Sequence, residues 1–154
     1  MPGSFCCVHI HAVFGTKHRV PFLADVDAAR LHEYLGGILR RRGCLLVGAG
    51  SVADHVHLLF RLAKDQCLSD VMRDVKSNSS HWLRRTPPQM SDFAWQEGYA
   101  TFGVGIRGVP QVLNYLAGQH AHHRERTFQE EYVAFLVEHG IEFDPKHLWD
   151  DEHV

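Results

Sequence analysis

The run Asp54-His55-Val56-His57-Leu58-Leu59-Phe60 alternates between apolar and non-apolar residues with little exception, and it constrains the fold more than any other stretch of the chain. This period reads as a β-strand. On a strand, side chains at i and i+2 share a face. Val56, Leu58 and Phe60 therefore point one way and both imidazoles the other. Such a strand needs an apolar layer on one side and a cover that tolerates polar groups on the other.

The rest of the chain offers both. Residues 4–14 alternate as a first strand, with Val8, Ile10, Ala12 and Phe14 on one face and Cys7, His9, His11 and Val13 on the other. Ala29, Leu31, Tyr34, Leu35, Ile38 and Leu39 at helical spacing predict a helix over 26–42, with Asp25 as N-cap and Gly43 as stop. Residues 44–50 predict a second strand, whose Gly48 and Gly50 precede a turn, and 55–62 the third. A helix over 68–85 carries Leu68, Val71, Met72, Val75 and Trp82 as its stripe and ends at Pro87-Pro88. Residues 99–106 predict a fourth strand. Pro110 suits the first turn of a third helix, 110–124. Thr127, with Glu130 three residues on, is a capping box for a fourth helix ending near Gly140.

This order belongs to the α+β class. It matches a ferredoxin-like βαββαβ antiparallel sheet with helices on one face, followed by two C-terminal helices. Strands 1 and 3 are then central neighbours, so His9 and His11 share the open face with His55 and His57. The third helix is the expected cover for that face. Residues 1–154 are expected to form a single domain, with a core over 4–106, the added helices over 110–140 and a tail over 141–154.

The net charge of −2 hides an asymmetry: residues 1–90 hold twelve basic and seven acidic side chains, residues 91–154 four and eleven. A basic half can offer a phosphate-binding face without a basic total. No apolar run approaches the ~20 residues of a membrane helix, and the first residues lack a signal-peptide layout. The expected location is cytoplasmic, with no membrane partner. Cys6, Cys7, Cys44 and Cys67 form no CxxC pair, so reduced thiols in or near the core are expected rather than a zinc site or disulfides.

On the third helix, Tyr115 and Gln119 lie four residues apart and share a face. His122 and His123 follow three and four residues later. Set against the two-histidine face, these residues suggest an ion held by His55, His57 and one side-chain oxygen. Such a site, with open positions, suits Mg²⁺ or Mn²⁺ polarising a phosphate oxygen. Tyr115 would be the nucleophile; its free pKa of ~10 demands activation. Spacing alone leaves alternatives open. A His-x-His pair is a weak metal signal, and a helical tyrosine commonly serves packing. A metallohydrolase using His55, His57 and one of His122 or His123 would not need Tyr115.

The wider pattern is more specific. His11-Ala12-Val13-Phe14-Gly15-Thr16-Lys17, Asp54-His55-Val56-His57-Leu58-Leu59, Leu68 through Ser77, Phe93 through Tyr99, Tyr115-Leu116-Ala117-Gly118-Gln119, His122-His123, Thr127 through Tyr132 and Gly140 through Asp144 follow in order. Together they resemble the single-tyrosine HUH transposases, especially the REP-associated tyrosine transposases and small insertion-sequence transposases. The resemblance implies that His55 and His57 are the metal-binding HUH histidines, Tyr115 the catalytic tyrosine and Gln119 the third ligand. It implies metal-dependent cleavage and rejoining of single-stranded DNA, often beside a hairpin, through a 5′-phosphotyrosine link. It also implies a homodimer.

Candidates for DNA contact are Lys17 and Arg19, just past strand 1, and Arg73, Lys76, Arg84 and Arg85 on helix 2 beside Trp82. Arg40-Arg41-Arg42 stands at a helix C-terminus, where cations are favoured in any case. His11, His122 and His123 are candidate orienting partners or alternative ligands. The rival reading from another class is a non-catalytic single-strand-binding protein, a domesticated transposase serving as repressor or structural factor.

Overall fold

The computed structural model describes residues 3–119 and 126–149. Four strands, β1 (His9–Gly15), β2 (Leu45–Val52), β3 (His55–Arg61) and β4 (Ala100–Val104), alternate with helices α1 (Ala28–Arg41) and α2 (Leu68–Arg85). Two further helices follow, α3 (Val109–Ala117) and α4 (Phe128–Glu138). The sheet order is β2-β3-β1-β4, and every neighbouring pair is antiparallel. This is the expected βαββαβ arrangement with β1 and β3 at its centre.

The alternation in β1 and β3 decides the two layers. Ile10, Ala12, Phe14, Val56, Leu58 and Phe60 face α1 and α2, where they meet Leu35, Ile38, Leu39, Val71, Met72 and Val75 in the main core. Burying each of the larger side chains is worth roughly 1.5–3 kcal/mol, which fixes the register, since a slip of one residue would turn the histidines into this layer. The opposite face has its own smaller core, in which Val13, Ala100 and Phe102 receive Phe128, Tyr132 and Leu136 of α4.

Two expectations shift. The polar face is covered by α3 and α4 together, not by α3 alone, because α4 presents a stripe at i, i+4 and i+8 toward β1 and β4. Helix α1 is capped by Asp27 rather than Asp25: the Asp27 carboxylate accepts the Ala29 and Arg30 amides, while Asp25 ends a 3₁₀ turn over Phe22–Asp25. The Thr127–Glu130 capping box forms as read. Helix α3 ends at Ala117, with Gly118 as its C-cap.

Gly48 and Gly50 lie inside β2, ahead of the turn at 53–54 that leads to β3. Their role is to let α3 approach. A Cβ on Gly48 would meet Leu113 at 2.4 Å, and one on Gly50 would meet the Leu116 carbonyl oxygen at 2.6 Å. Gly50 pairs with His57 across the ladder, so this gap brings α3 down beside the histidines. Among the thiols, Cys44 is buried, but Cys6, Cys7 and Cys67 are exposed, because they sit in the ends flanking β1 and α2 rather than within them. No described helix is long and apolar enough to cross a membrane.

Candidate active site

Five polar side chains are buried together on the open face: His11, His55, His57, Gln119 and Glu131. Strand β3 brings the two histidines, and β1 brings His11, diagonal to His57 in the ladder. Helix α3 delivers Tyr115, with Gln119 just beyond its end, and α4 delivers Glu131 from its first turn.

Glu131 is the hub. Its Oε1 lies 2.7 Å from His57 Nε2 and 3.4 Å from His55 Nε2. The Tyr115 hydroxyl donates to its Oε2 in a short hydrogen bond. Gln119 Oε1 stands 3.3 Å from His55 Nε2. Both imidazoles thus turn Nε2 toward one point. Their outward nitrogens are also engaged, His55 Nδ1 with Asp54 Oδ1 at 2.8 Å and His57 Nδ1 with His11 Nε2 at 2.9 Å. Partners on the far nitrogen fix the orientation of each ring, as around metal-bound histidines, and the Asp54 carboxylate, an acceptor, places the His55 proton on Nδ1.

Charge follows the same geometry. Burial alone raises the Glu131 carboxyl, but the hydrogen bonds from His55 and His57 outweigh it and hold the group well below the usual carboxylate range. Burial also opposes a charge on His55, and the bonds to Asp54 and Glu131 override it, raising its pKa. Burial, then the bond to Glu131, pushes the Tyr115 phenol upward, so it keeps its proton in this arrangement. His11 falls to about 3 through burial and the proximity of His57, so it is neutral.

The donor set fits a divalent cation. One nitrogen of His55, one of His57 and one Glu131 oxygen lie within 4.8 Å of one another. An ion there would neutralise a carboxylate that is otherwise costly to bury. Gln119 is near enough to offer a further oxygen. Beside the cluster, a cavity of about 450 Å³ opens between α3, α4 and β4, lined by Tyr115, Glu131, His11 and Arg126 among others. It gives access to the tyrosine.

A comparison with known families decides where the chain stands: residues 4–119 match the family model described as "Transposase IS200 like". The chain belongs to the IS200-like transposases. It is 24% identical over 115 residues to the ISDra2 transposase TnpA of Deinococcus radiodurans, covering 71% of this chain and 82% of that protein. A crystal structure of a Deinococcus radiodurans R1 protein assigned as a transposase superposes with a TM-score of 0.63 at 23% identity, over 77% of this chain and 95% of the other. A REP-associated tyrosine transposase bound to a REP hairpin gives 0.58 at 12% identity, over 80% and 73%. These structural likenesses show a shared fold.

Of the residues expected from sequence, His55, His57, Tyr115, Gln119 and His11 come together. His122 and His123 lie outside the described residues. Glu131 was not singled out. The DNA-contact candidates are dispersed. Lys17 and Arg19 occupy the 3₁₀ turn after β1, and Arg19 shares a cavity with Asp54. On α2, Lys76 Nζ donates to the carbonyls of Gln96, Glu97 and Gly98 at 2.6–2.9 Å. Arg84 donates to the Phe93 carbonyl, Arg73 pairs with Asp70, and Arg85 is exposed at the helix end.

Proposed function

We propose that the chain cleaves and rejoins single-stranded DNA, with Tyr115 as nucleophile and a divalent cation, Mg²⁺ or Mn²⁺, held by His55, His57 and Glu131, with Gln119 as an additional ligand. The observation that carries this reading is the shared carboxylate: one Glu131 oxygen faces the imidazoles and the other accepts the hydrogen bond of the Tyr115 hydroxyl. Family membership and the REP-hairpin complex of the structural relative support DNA, with a hairpin, as substrate. A homodimer is the proposed working unit, and one domain spans the chain.

A phosphodiester entering the cavity meets Tyr115 on one side. As the Tyr115 oxygen bonds to phosphorus, its proton passes to Glu131 Oε2 and the bond to the 3′ oxygen breaks. The products are a 5′-phosphotyrosine and a 3′-hydroxyl, which takes its proton from solvent. Rejoining reverses the steps, with Glu131 returning the proton to the phenol. The ion, when bound, supplies Lewis-acid polarisation of the phosphate. His11 and Asp54 hold the two imidazoles in the ligating orientation. Lys17 and Arg19 lie where they can steady phosphates near the site, and the α2 cations Arg73, Lys76, Arg84 and Arg85 belong to the helix side of the molecule.

The test is a Tyr115→Phe variant incubated with labelled single strands and Mn²⁺. The covalent band that survives SDS disappears, while binding stays within about twofold. Adducts that persist in this variant would remove Tyr115 from the role of nucleophile. Binding without adducts in the unaltered protein would favour the non-catalytic reading.

A further inference from the structure

On the far side of the sheet from Tyr115, a shallow groove runs between α1 and α2, lined by Arg30, Glu33, Tyr34, Gly37, Arg40, Arg41 and Trp82. Nothing in the proposed chemistry uses it. Two features set it apart from an ordinary solvated helix face. Tyr34 and Trp82 stack nearly parallel, with ring centroids 4.6 Å apart and planes 13° apart, and the Arg30 guanidinium lies 5.7 Å from the indole centroid. Around this stack stand Arg30, Arg40 and Arg41, all exposed and without an ion-pair partner among the described residues. Glu33 is the acid on the lining, so three cations face one anion.

Most neighbouring cations elsewhere on these helices are committed, and Arg85 reaches only the His81 carbonyl of its own helix at 3.4 Å. Arg42 is tied to Asp74 and Gln66, Arg73 to Asp70, and Arg84 to a backbone carbonyl. The groove therefore sets two guanidinium groups without an ion pair, those of Arg40 and Arg41, beside an aromatic stack that Arg30 already flanks. Guanidinium planes and aromatic rings both stack on bases, and arginine also tracks phosphates. A carboxylate-rich protein surface would satisfy the charge but would leave the stack unused.

We propose that this groove is a second binding surface for single-stranded nucleic acid, separate from the catalytic cavity. A base would extend the Tyr34–Trp82 stack or lie on the Arg30 guanidinium, and Arg40 and Arg41 would take the flanking phosphates. A strand that engages both sites has to pass around a sheet edge. The groove would thus grip DNA outside the cleaved segment.

The test is made in a Tyr115→Phe background, so that cleavage and its failure do not enter. Binding of a mixed-sequence oligodeoxynucleotide is followed by anisotropy across a salt series. The same strand carrying 5-iododeoxyuridine is then photocrosslinked and the linked peptides are mapped. Arg40→Glu with Arg41→Glu, both exposed and away from the core, should lower the log–log salt slope by about 1.4, at ~0.7 per lost phosphate contact. Trp82→Leu should weaken binding about tenfold and Trp82→Phe should retain it, at matched thermal stability. Crosslinks should fall on Tyr34 or Trp82. An unchanged salt slope, or crosslinks confined to peptides of the other sheet face, overturns the proposal. So does a change of oligomeric state in the arginine variant with DNA binding intact, which would make the groove a protein interface.

Discussion

Tyr115 and His57 meet through one carboxylate: the Glu131 oxygen that accepts the tyrosine hydroxyl is bonded to the same carbon as the oxygen 2.7 Å from His57 Nε2. The proposed nucleophile and the proposed ligand pair are thereby coupled within a single chain. Glu131 is then the side chain whose alteration disturbs both proton transfer and ion binding.

Glu131→Gln keeps the shape and a hydrogen-bond acceptor for Tyr115 but removes the negative charge. Mn²⁺ affinity should drop more than tenfold by calorimetric titration, and adduct formation should drop with it. Gln119→Ala should cost less, because a neutral amide oxygen contributes less to holding a dication than a carboxylate. The reverse order would make Gln119, not Glu131, the principal oxygen ligand.

In the proposed reaction His11 acts through His57. It bonds His57 Nδ1 at 2.9 Å and is walled by Phe102 and Phe135. His11→Ala should lower Mn²⁺ affinity about 10–100-fold, the range seen when outer partners of ligand histidines are removed. Circular dichroism should show the fold retained. Unchanged titration curves would reduce His11 to packing.

Removal of divalent ions should stop cleavage without unfolding the protein, since both apolar cores are built from residues other than the proposed ligands. Mg²⁺ or Mn²⁺ should restore activity. Added Mn²⁺ should raise the Tm, with about 2.7 kcal/mol of stabilisation at a hundred times its Kd. Full cleavage in excess EDTA would take the ion out of the reaction.

Gly50→Ala should destabilise by roughly 1–3 kcal/mol in denaturant titration, because the new methyl meets the Leu116 backbone at 2.6 Å and must displace α3. It should also slow adduct formation by moving Tyr115. Gly103→Ala, where a Cβ meets nothing within 4 Å, is the control and should change stability by less than about 0.5 kcal/mol. Equal effects at the two positions would contradict the close-approach account of β2.

The layout of the sheet was legible because β1 and β3 alternate cleanly and carry their histidines in phase with it. The pairing of Tyr115 with Gln119 on one side was legible from helical spacing. Glu131 was harder to see. It follows a capping box, where an acidic residue is already explained by the helix N-terminus. The signal lay in its neighbours: Phe128 three residues before and Phe135 four after place Glu131 on the inward side of α4. The glycines of β2 were legible as strand residues ahead of a turn, but not as the gap for α3, because sequence shows a missing side chain without showing what occupies the space. The cation candidates of α2 were legible as charge but not as commitments, since Lys76 and Arg84 are spent on carbonyls of the 93–98 segment.

The most direct measurement is tandem mass spectrometry of the peptide that becomes linked to a cleaved single strand in Mn²⁺. The account predicts a 5′-phosphate attached to Tyr115, formed in Mn²⁺ and absent in EDTA. Attachment to another residue, or strand scission with water and no protein-linked product, would contradict it.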